Sequence, residues 1–237
     1  MTLDVLPERF AGAAENMATD FLLLQRYPRE VAVFRHYGWR APAFTFGYSQ
    51  KIGFIREQLP PGETFDLCRR PTGGGLVDHR DDWTYTVILP RGHPLEEVRA
   101  TQSYRAVHEA LTGAFTSLGV EAALKPTVGP AAPDEPGGPA GICFQRAELF
   151  DVIHGRTGAK IAGGAQKRNK RGLLFQGSVW KPAAGAMDWD RLAEAFVARL
   201  AVILGTEASP EPWPDFAEGE LDGLTERYAS SEWMDLR

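Results

Sequence analysis

The stretch that most constrains this chain is Arg69-Arg70-Pro71-Thr72-Gly73-Gly74-Gly75-Leu76-Val77-Asp78-His79. A strand-like run, Phe65-Asp66-Leu67-Cys68, feeds two arginines into three consecutive glycines, and a second run, residues 83–89, leaves on the other side. Three glycines in a row lose much backbone entropy on folding and bury no side chain. A chain that places them between two strands brings its backbone close to something else. With Arg70 alongside, that neighbour could be a carbonyl, carboxylate or phosphate oxygen. A plain glycine-rich turn is the other reading, and the stretch alone does not separate the two.

The flanking pattern predicts the frame that carries this loop. Residues 14–27 read as a helix with Met17, Phe21 and Leu24 on one stripe; Glu15 and Asp20 lie off it, and Pro28 ends it. Residues 31–35 and 43–48 read as strands, and 52–59 as a short helix. In the run 83–89, Trp83, Tyr85, Val87 and Leu89 share one face while Thr84, Thr86 and Ile88 share the other. Residues 94–118 form the longest helical pattern, with Gly119 as its cap. A short strand at 121–124 precedes a Pro- and Gly-rich segment, 127–141, in which no regular structure is expected. Strands follow at 147–153, 159–166 and 172–180, then a helix at 188–204, an acidic loop at 209–223 and a short helical end at 231–233. In the strand 159–166, Gly163 and Gly164 stand where large side chains are expected and mark a bulge or a close approach of backbone. Runs of strands between helices, rather than strict alternation, predict an α+β fold with mixed or antiparallel sheets packed with helices.

Charge and cysteine content narrow the function classes. A formal net charge of -5 argues against a nucleic-acid partner. Cys68 and Cys143 are the two cysteines, too few for a disulfide framework, which favours a reducing compartment. The N-terminus lacks the basic start and apolar core of a signal peptide, and no apolar run approaches the roughly 18 residues that span a bilayer, so a cytoplasmic protein without a membrane partner is expected.

Four features could carry chemistry. Cys143 follows the Pro/Gly segment and begins a strand; a thiol beside a cation is a nucleophile, whereas most free cysteines are small buried hydrophobes. Lys160 is alone in a small, apolar strand; it either sits on an exposed face or, if the fold brings it to the glycine loop, polarises a carbonyl or neutralises a phosphate. Lys167, Arg168, Lys170 and Arg171 put four positive charges into five residues: a solvated hairpin tip, or a landing patch for an acidic protein. His79 could be a general base or orient a ligand, and no histidine stands at metal-ligand spacing, so no metal is expected. The three glycines fit neither a dinucleotide fingerprint nor a phosphate-binding P-loop.

Taken together these residues resemble the lipoate–protein ligase A and octanoyltransferase family. Arg69-Arg70-Pro71-Thr72-Gly73-Gly74-Gly75 with His79 is similar to its Arg-Arg-x-[Ser/Thr]-Gly-Gly signature, and the run from Lys160 to Arg168 is similar to its lysine motif. Asn16-Met17-Ala18-Thr19-Asp20, Trp39 to Gln50 and Ser231-Glu232-Trp233 resemble further landmarks in the right order. The resemblance implies the biotin/lipoyl ligase catalytic fold over residues 1–237 as a single domain, with no C-terminal accessory domain. It implies that Arg70, Thr72, Gly73, Gly74, Gly75, His79, Tyr85, Gly163, Gly164 and Ala165 bind substrate, and that Cys143 and Lys160 are catalytic. Cys143-Phe144 stands where the LipM branch has its nucleophile, and Asp82-Trp83-Thr84-Tyr85-Thr86-Val87 resembles that branch's Glu-Leu-Thr-Tyr-Ser-Val strand. Gly75 instead matches the ligases, and Gln176 occupies the place of a family histidine.

The expected reaction is therefore octanoyl or lipoyl transfer from acyl carrier protein, through a Cys143 thioester, to the lysine of a lipoyl domain or the glycine-cleavage H protein, with no cofactor. The alternatives are an ATP- and Mg-dependent lipoate ligase and a non-catalytic acyl-binding module.

Overall fold

A computed structural model describes residues 2–28, 30–126 and 146–236. Its first element is a strand that the sequence pattern hides, β1 (Thr2–Ala11). Pro7 falls where the pairing register shifts between Leu6 and Arg9, and this break destroys the two-residue period by which strands are recognised. After it come α1 (Ala13–Arg26), β2 (Val31–Trp39), β3 (Ala43–Phe46), α2 (Ile52–Arg56), β4 (Asp66–Arg69), β5 (Leu76–Asp78) and β6 (Asp82–Pro90). The long helical pattern that follows is two helices, α3 (Pro94–Glu97) and α4 (Ala100–Ser117), separated by an extended Val98. Further on lie β7 (Ala122–Leu124), β8 (Val152–His154), β9 (Lys160–Asn169), β10 (Gly172–Trp180), α5 (Lys181–Ala184) and α6 (Trp189–Leu204). The acidic stretch expected to be loop holds the end of β11 (Glu207–Pro210) and the start of α7 (Glu220–Ala229), before α8 (Ser231–Met234).

The strands make the mixed sheets that the α+β reading requires. Eight form one sheet in the order β11-β1-β2-β6-β10-β9-β8-β7, and three form a second, β4-β3-β5. β1 runs parallel to both β2 and β11, while β2, β6, β10, β9, β8 and β7 pair antiparallel. The face bearing Trp83, Tyr85, Val87, Leu89 and Phe175 packs against Val107, Leu111 and Phe115 of α4 and Leu192, Phe196 and Leu200 of α6, all buried. Burying each such side chain stabilises the fold by about 1.5–3 kcal/mol. The other face carries Thr84, Thr86, Gln176 and Ser178, a polar row that would be costly to bury without partners.

α1 supplies those partners. Asp20, off the apolar stripe of its helix, is fully buried rather than solvated. Its Oδ1 lies 2.8 Å from Arg35 Nε on β2. Its Oδ2 accepts from Thr86 at 2.8 Å, Tyr37 at 3.2 Å and Gln176 at 2.6 Å. Arg35 also donates to Asn16 Oδ1 at 3.0 Å and lies 3.8 Å over the Tyr37 ring. The large sheet is thus fastened to α1 by a paired charge inside a satisfied network. Removing one partner of a buried pair strands the other. Asp20→Ala is expected to destabilise the protein by about 3–5 kcal/mol, read from the urea midpoint, and Asp20→Leu combined with Arg35→Met to recover most of that loss.

Candidate active site

The glycine loop is held by its carbonyl oxygens. Arg70, almost fully buried, sends one guanidinium nitrogen to Gly73 O at 2.7 Å and Gly75 O at 2.9 Å, and the other to Thr45 O at 2.9 Å and Thr45 Oγ1 at 3.0 Å. Thr72 O accepts from Tyr48 N at 2.8 Å, and Gly74 O from Gln50 Nε2 at 3.3 Å. Arg70 is therefore a clamp on the loop rather than a bare anion receptor. Gly74 is the member of the triplet with left-handed backbone, φ +91°. The close backbone neighbour that the triplet called for is Gly47, where a Cβ atom would lie 2.0 Å from Gly74 O. With the carbonyls taken, the loop has amide N–H groups to offer a ligand.

Two anchors fix the loop to the rest of the chain. Arg69, fully buried, donates to Tyr48 O at 2.6 Å, Gln50 O at 2.8 Å, Trp233 O at 3.0 Å and Met234 O at 2.6 Å. Thr72 Oγ1 donates to Gln176 Oε1 at 2.7 Å, and Gln176 Nε2 reaches Asp20. Gln176 therefore links the loop to the buried ion pair, and both ends of its amide are occupied.

Lys160 comes from the opposite wall. It is 8% exposed, which rules out a place on a solvated strand face. Its Nζ lies 2.8 Å from Asp151 Oδ2. Its side chain crosses Gly163, where a Cβ would stand 2.7 Å from both Cε and Nζ, so this glycine is the space the lysine needs. Asp151 also accepts from Glu148 N at 2.6 Å and from the Tyr104 hydroxyl, which in turn accepts from Gly164 N at 3.0 Å. Behind this pair His108 is fully buried, with Nδ1 2.7 Å from Phe150 O. Burial pushes its imidazole down to about 4 and keeps it neutral.

Both walls line one cleft of about 460 Å³, part of it open to solvent. Arg70, Gly74 and His79 face Lys160, Gly163, Gly164 and Ala165 across it, with Met17 and Gln176 also in its lining. His79 sits on a support that the sequence did not reveal: Nδ1 lies 2.6 Å from Asp82 Oδ2 and Nε2 lies 2.7 Å from Thr45 Oγ1. Asp82 also accepts from Thr84 and Ser178. Spacing of i, i+3 at the turn into β6 was the available signal, and a search for metal ligands passes over it. Among the described residues no group of His, Cys, Asp and Glu could hold a metal ion.

Other expected positions fall differently. Tyr85 is fully buried on the far face of the sheet, where its ring lies against Phe175 and Phe196 and over Gly177, so it backs the cleft rather than lining it. Arg168 turns inward and donates to Glu96 O at 3.0 Å and Val98 O at 3.2 Å, closing the break between α3 and α4. Lys167 lies 5.2 Å over the Tyr48 ring, two residues beyond Ala165, and Lys170 is exposed at the hairpin tip with Arg171 half-buried. Cys143 lies outside the described residues. Cys68 is buried, and burial pushes its thiol up to about 12, which removes it as a nucleophile.

Comparison with known proteins gives the family and the fold. Residues 12–181 match the family model described as "Lipoyl protein ligase A/B catalytic domain". Octanoyltransferase LipM of Staphylococcus aureus is 29% identical over 92% of this chain and 93% of its own length. Octanoyltransferase LipM of Bacillus cereus is 33% identical over 70% of this chain, but the match spans 60% of that protein. Among solved structures, the bi-partite lipoate protein ligase from Thermoplasma acidophilum, described with its E2 lipoyl domain, superposes with a TM-score of 0.70 at 16% identity. It covers 100% of this chain and 97% of that one, a likeness of fold.

The neutral His108 makes a checkable statement about pH. An unfolded histidine titrates near 6.5. Between about 6.5 and 4 the unfolded chain therefore binds a proton that folded His108, held at about 4, does not, so stability falls as pH falls through that window. Calorimetry is expected to show a shallower loss of Tm from pH 7 to pH 4 in His108→Asn than in the unaltered protein.

Proposed function

The chain belongs to the lipoyl protein ligase A/B catalytic-domain family, and from that premise we propose that it is a cytoplasmic acyltransferase that moves an octanoyl or lipoyl group onto a lysine of a lipoyl-domain protein. The observation that carries this reading is the pairing of a buried Lys160, anchored on Asp151, with a clamped glycine loop across one cleft. An acyl chain needs an apolar slot with hydrogen-bond donors at its carbonyl end. Met17, Val77 and Ala165 line the slot, and Lys160 with the loop amides provides the donors.

In this reading acyl carrier protein brings the chain as a thioester. The Cys143 thiolate attacks the thioester carbon and the carrier thiol leaves, giving an acyl-enzyme. The acceptor amine then attacks that carbon and Cys143 leaves. Lys160 steadies the carbonyl oxygen as it gains charge in each step. No cofactor enters the scheme. The described elements act as one catalytic unit, and Lys167 beyond Ala165 on β9, with Lys170 and Arg171 at the hairpin tip of the same strand, give an acidic carrier or acceptor a place to land. Among the described residues no helix is long and apolar enough to cross a membrane.

A second reading is an ATP-dependent lipoate ligase, favoured by Gly75, which completes the ligase form of the loop. One experiment separates the two: intact mass after mixing with octanoyl-acyl carrier protein, against pyrophosphate exchange with ATP and lipoate. Cys143→Ala is expected to abolish an octanoyl mass adduct on the enzyme. Full transfer activity in that variant overturns the thioester route, and pyrophosphate exchange that persists in it supports the ligase instead.

Gly47→Ala tests the loop. Its new Cβ meets Gly74 O, a backbone atom that moves only with the loop itself. A displacement of about 1 Å at such a site costs on the order of 10²-fold in rate, and kcat/KM for octanoyl transfer is expected to fall by that order, with a loss of about 1–3 kcal/mol from the overlap read from the unfolding midpoint.

A further inference from the structure

We propose that His79 is the base that takes the proton from the incoming acceptor amine, and that Asp82 is the residue that positions it. The inference rests on the transfer reading, in which a lysine is the acceptor, and adds a step that neither Cys143 nor Lys160 provides. A lysine reaches the enzyme as an ammonium and cannot attack a carbonyl until a proton leaves. Lys160 is engaged as a donor to Asp151 at 2.8 Å and to Arg146 O at 3.5 Å. Arg70 never gives up its proton in a protein. Of the side chains lining the cleft, His79 is the one imidazole, the group that most often serves as a general base.

Its surroundings are those of a base and not merely of a packed ring. Asp82, whose side chain is fully buried, accepts from Nδ1 at 2.6 Å, which places the ring proton on Nδ1 and leaves the lone pair on Nε2. Thr45 Oγ1, which also lines the cleft, donates to Nε2 at 2.7 Å and accepts from Arg70 at 3.0 Å. Trp39 Nε1 donates to Thr84 Oγ1 at 3.0 Å, and Thr84 donates to Asp82 at 2.8 Å; Ser178 donates to the same oxygen. Both chains of donors run toward one carboxylate, and Trp39 stacks on the imidazole at 4.1 Å. A neutral histidine does not need a buried carboxylate at this distance, whereas an imidazolium formed during reaction does.

The step balances. One proton of the acceptor ammonium goes to His79 Nε2 through Thr45 Oγ1, which hands its own hydrogen to Nε2 as it takes one from the amine. The freed nitrogen pair forms the C–N bond at the acyl carbon. The C–S bond breaks and its electron pair leaves on the Cys143 sulfur, which takes a second proton from the amine nitrogen. His79 returns its proton to water. The products are the amide, a free thiol and one released proton.

The test is single turnover from purified octanoyl-enzyme, with a lipoyl domain as one acceptor and hydroxylamine, already neutral at pH 7, as the other. His79→Gln, and independently His79→Asn, are expected to slow transfer to the lipoyl domain by about 10²–10⁴-fold and transfer to hydroxylamine by less than about 10-fold. Asp82→Asn should give the same split with a smaller loss. Acylation of each variant, seen by intact mass, reports that its pocket is formed. Equal slowing with both acceptors, or unaltered transfer to the lipoyl domain, overturns the assignment while leaving the acyl-enzyme reading intact. If the unaltered protein forms no acyl-enzyme, the transfer reading fails and the assignment falls with it.

Discussion

The ion pair between Asp20 and Arg35 is the contact on which the cleft depends. A buried charge pair is weak evidence for stability, because desolvation offsets much of its attraction. Its value here is geometric. Asp20 holds Thr86 of β6, Tyr37 of β2 and Gln176 of β10 at once, so three neighbouring strands meet one carboxylate from α1. Gln176 then passes that position on to Thr72 and the glycine loop. A loop of three glycines has no packing of its own, and takes its shape from this network and from the Arg70 fork.

The same principle explains the glycines of β9 and β10. Gly163, Gly164 and Gly177 stand where side chains would collide with Lys160, Phe175 and Tyr85 respectively. Each absence of a Cβ lets a larger group lie flat against the sheet. The strands are weakened locally, but a charged lysine and two aromatic rings gain fixed positions beneath the cleft.

How much of this could be read from the chain depended on how local each cause was. The glycine triplet between strands and the alternating faces of β6 are local patterns and fell where they were expected, while Lys160 took the buried one of the two places the sequence left open to it. The convergence of Lys160 with the loop followed from family resemblance as well as from residue chemistry. What the chain concealed was cooperative. Asp20 sits off its helix stripe and so looks solvated, until a second layer of polar residues on the sheet makes it the better-satisfied alternative. Asp82 beside His79 needed a turn geometry that spacing alone does not provide. Tyr85 was assigned to the cleft by resemblance, yet strand alternation had already placed it opposite Thr84. Arg168 reads as part of a charge cluster, and the break at Val98 that it caps is visible only once the helix is seen to divide.

Arg69 links the start of the glycine loop to carbonyls at Trp233 and Met234, while Trp233 Nε1 returns a bond to Arg69 O at 2.9 Å. These partners are separated by 164 and 165 positions along the chain. Contacts of such span close last, since the loop-closure entropy must be overcome before they form. On a ribosome, Trp233 and Met234 are made 164 and 165 residues after Arg69. The strands that precede them can therefore pair before the glycine loop receives this anchor, and the shape of the cleft is the late product of a fold whose sheet is already in place.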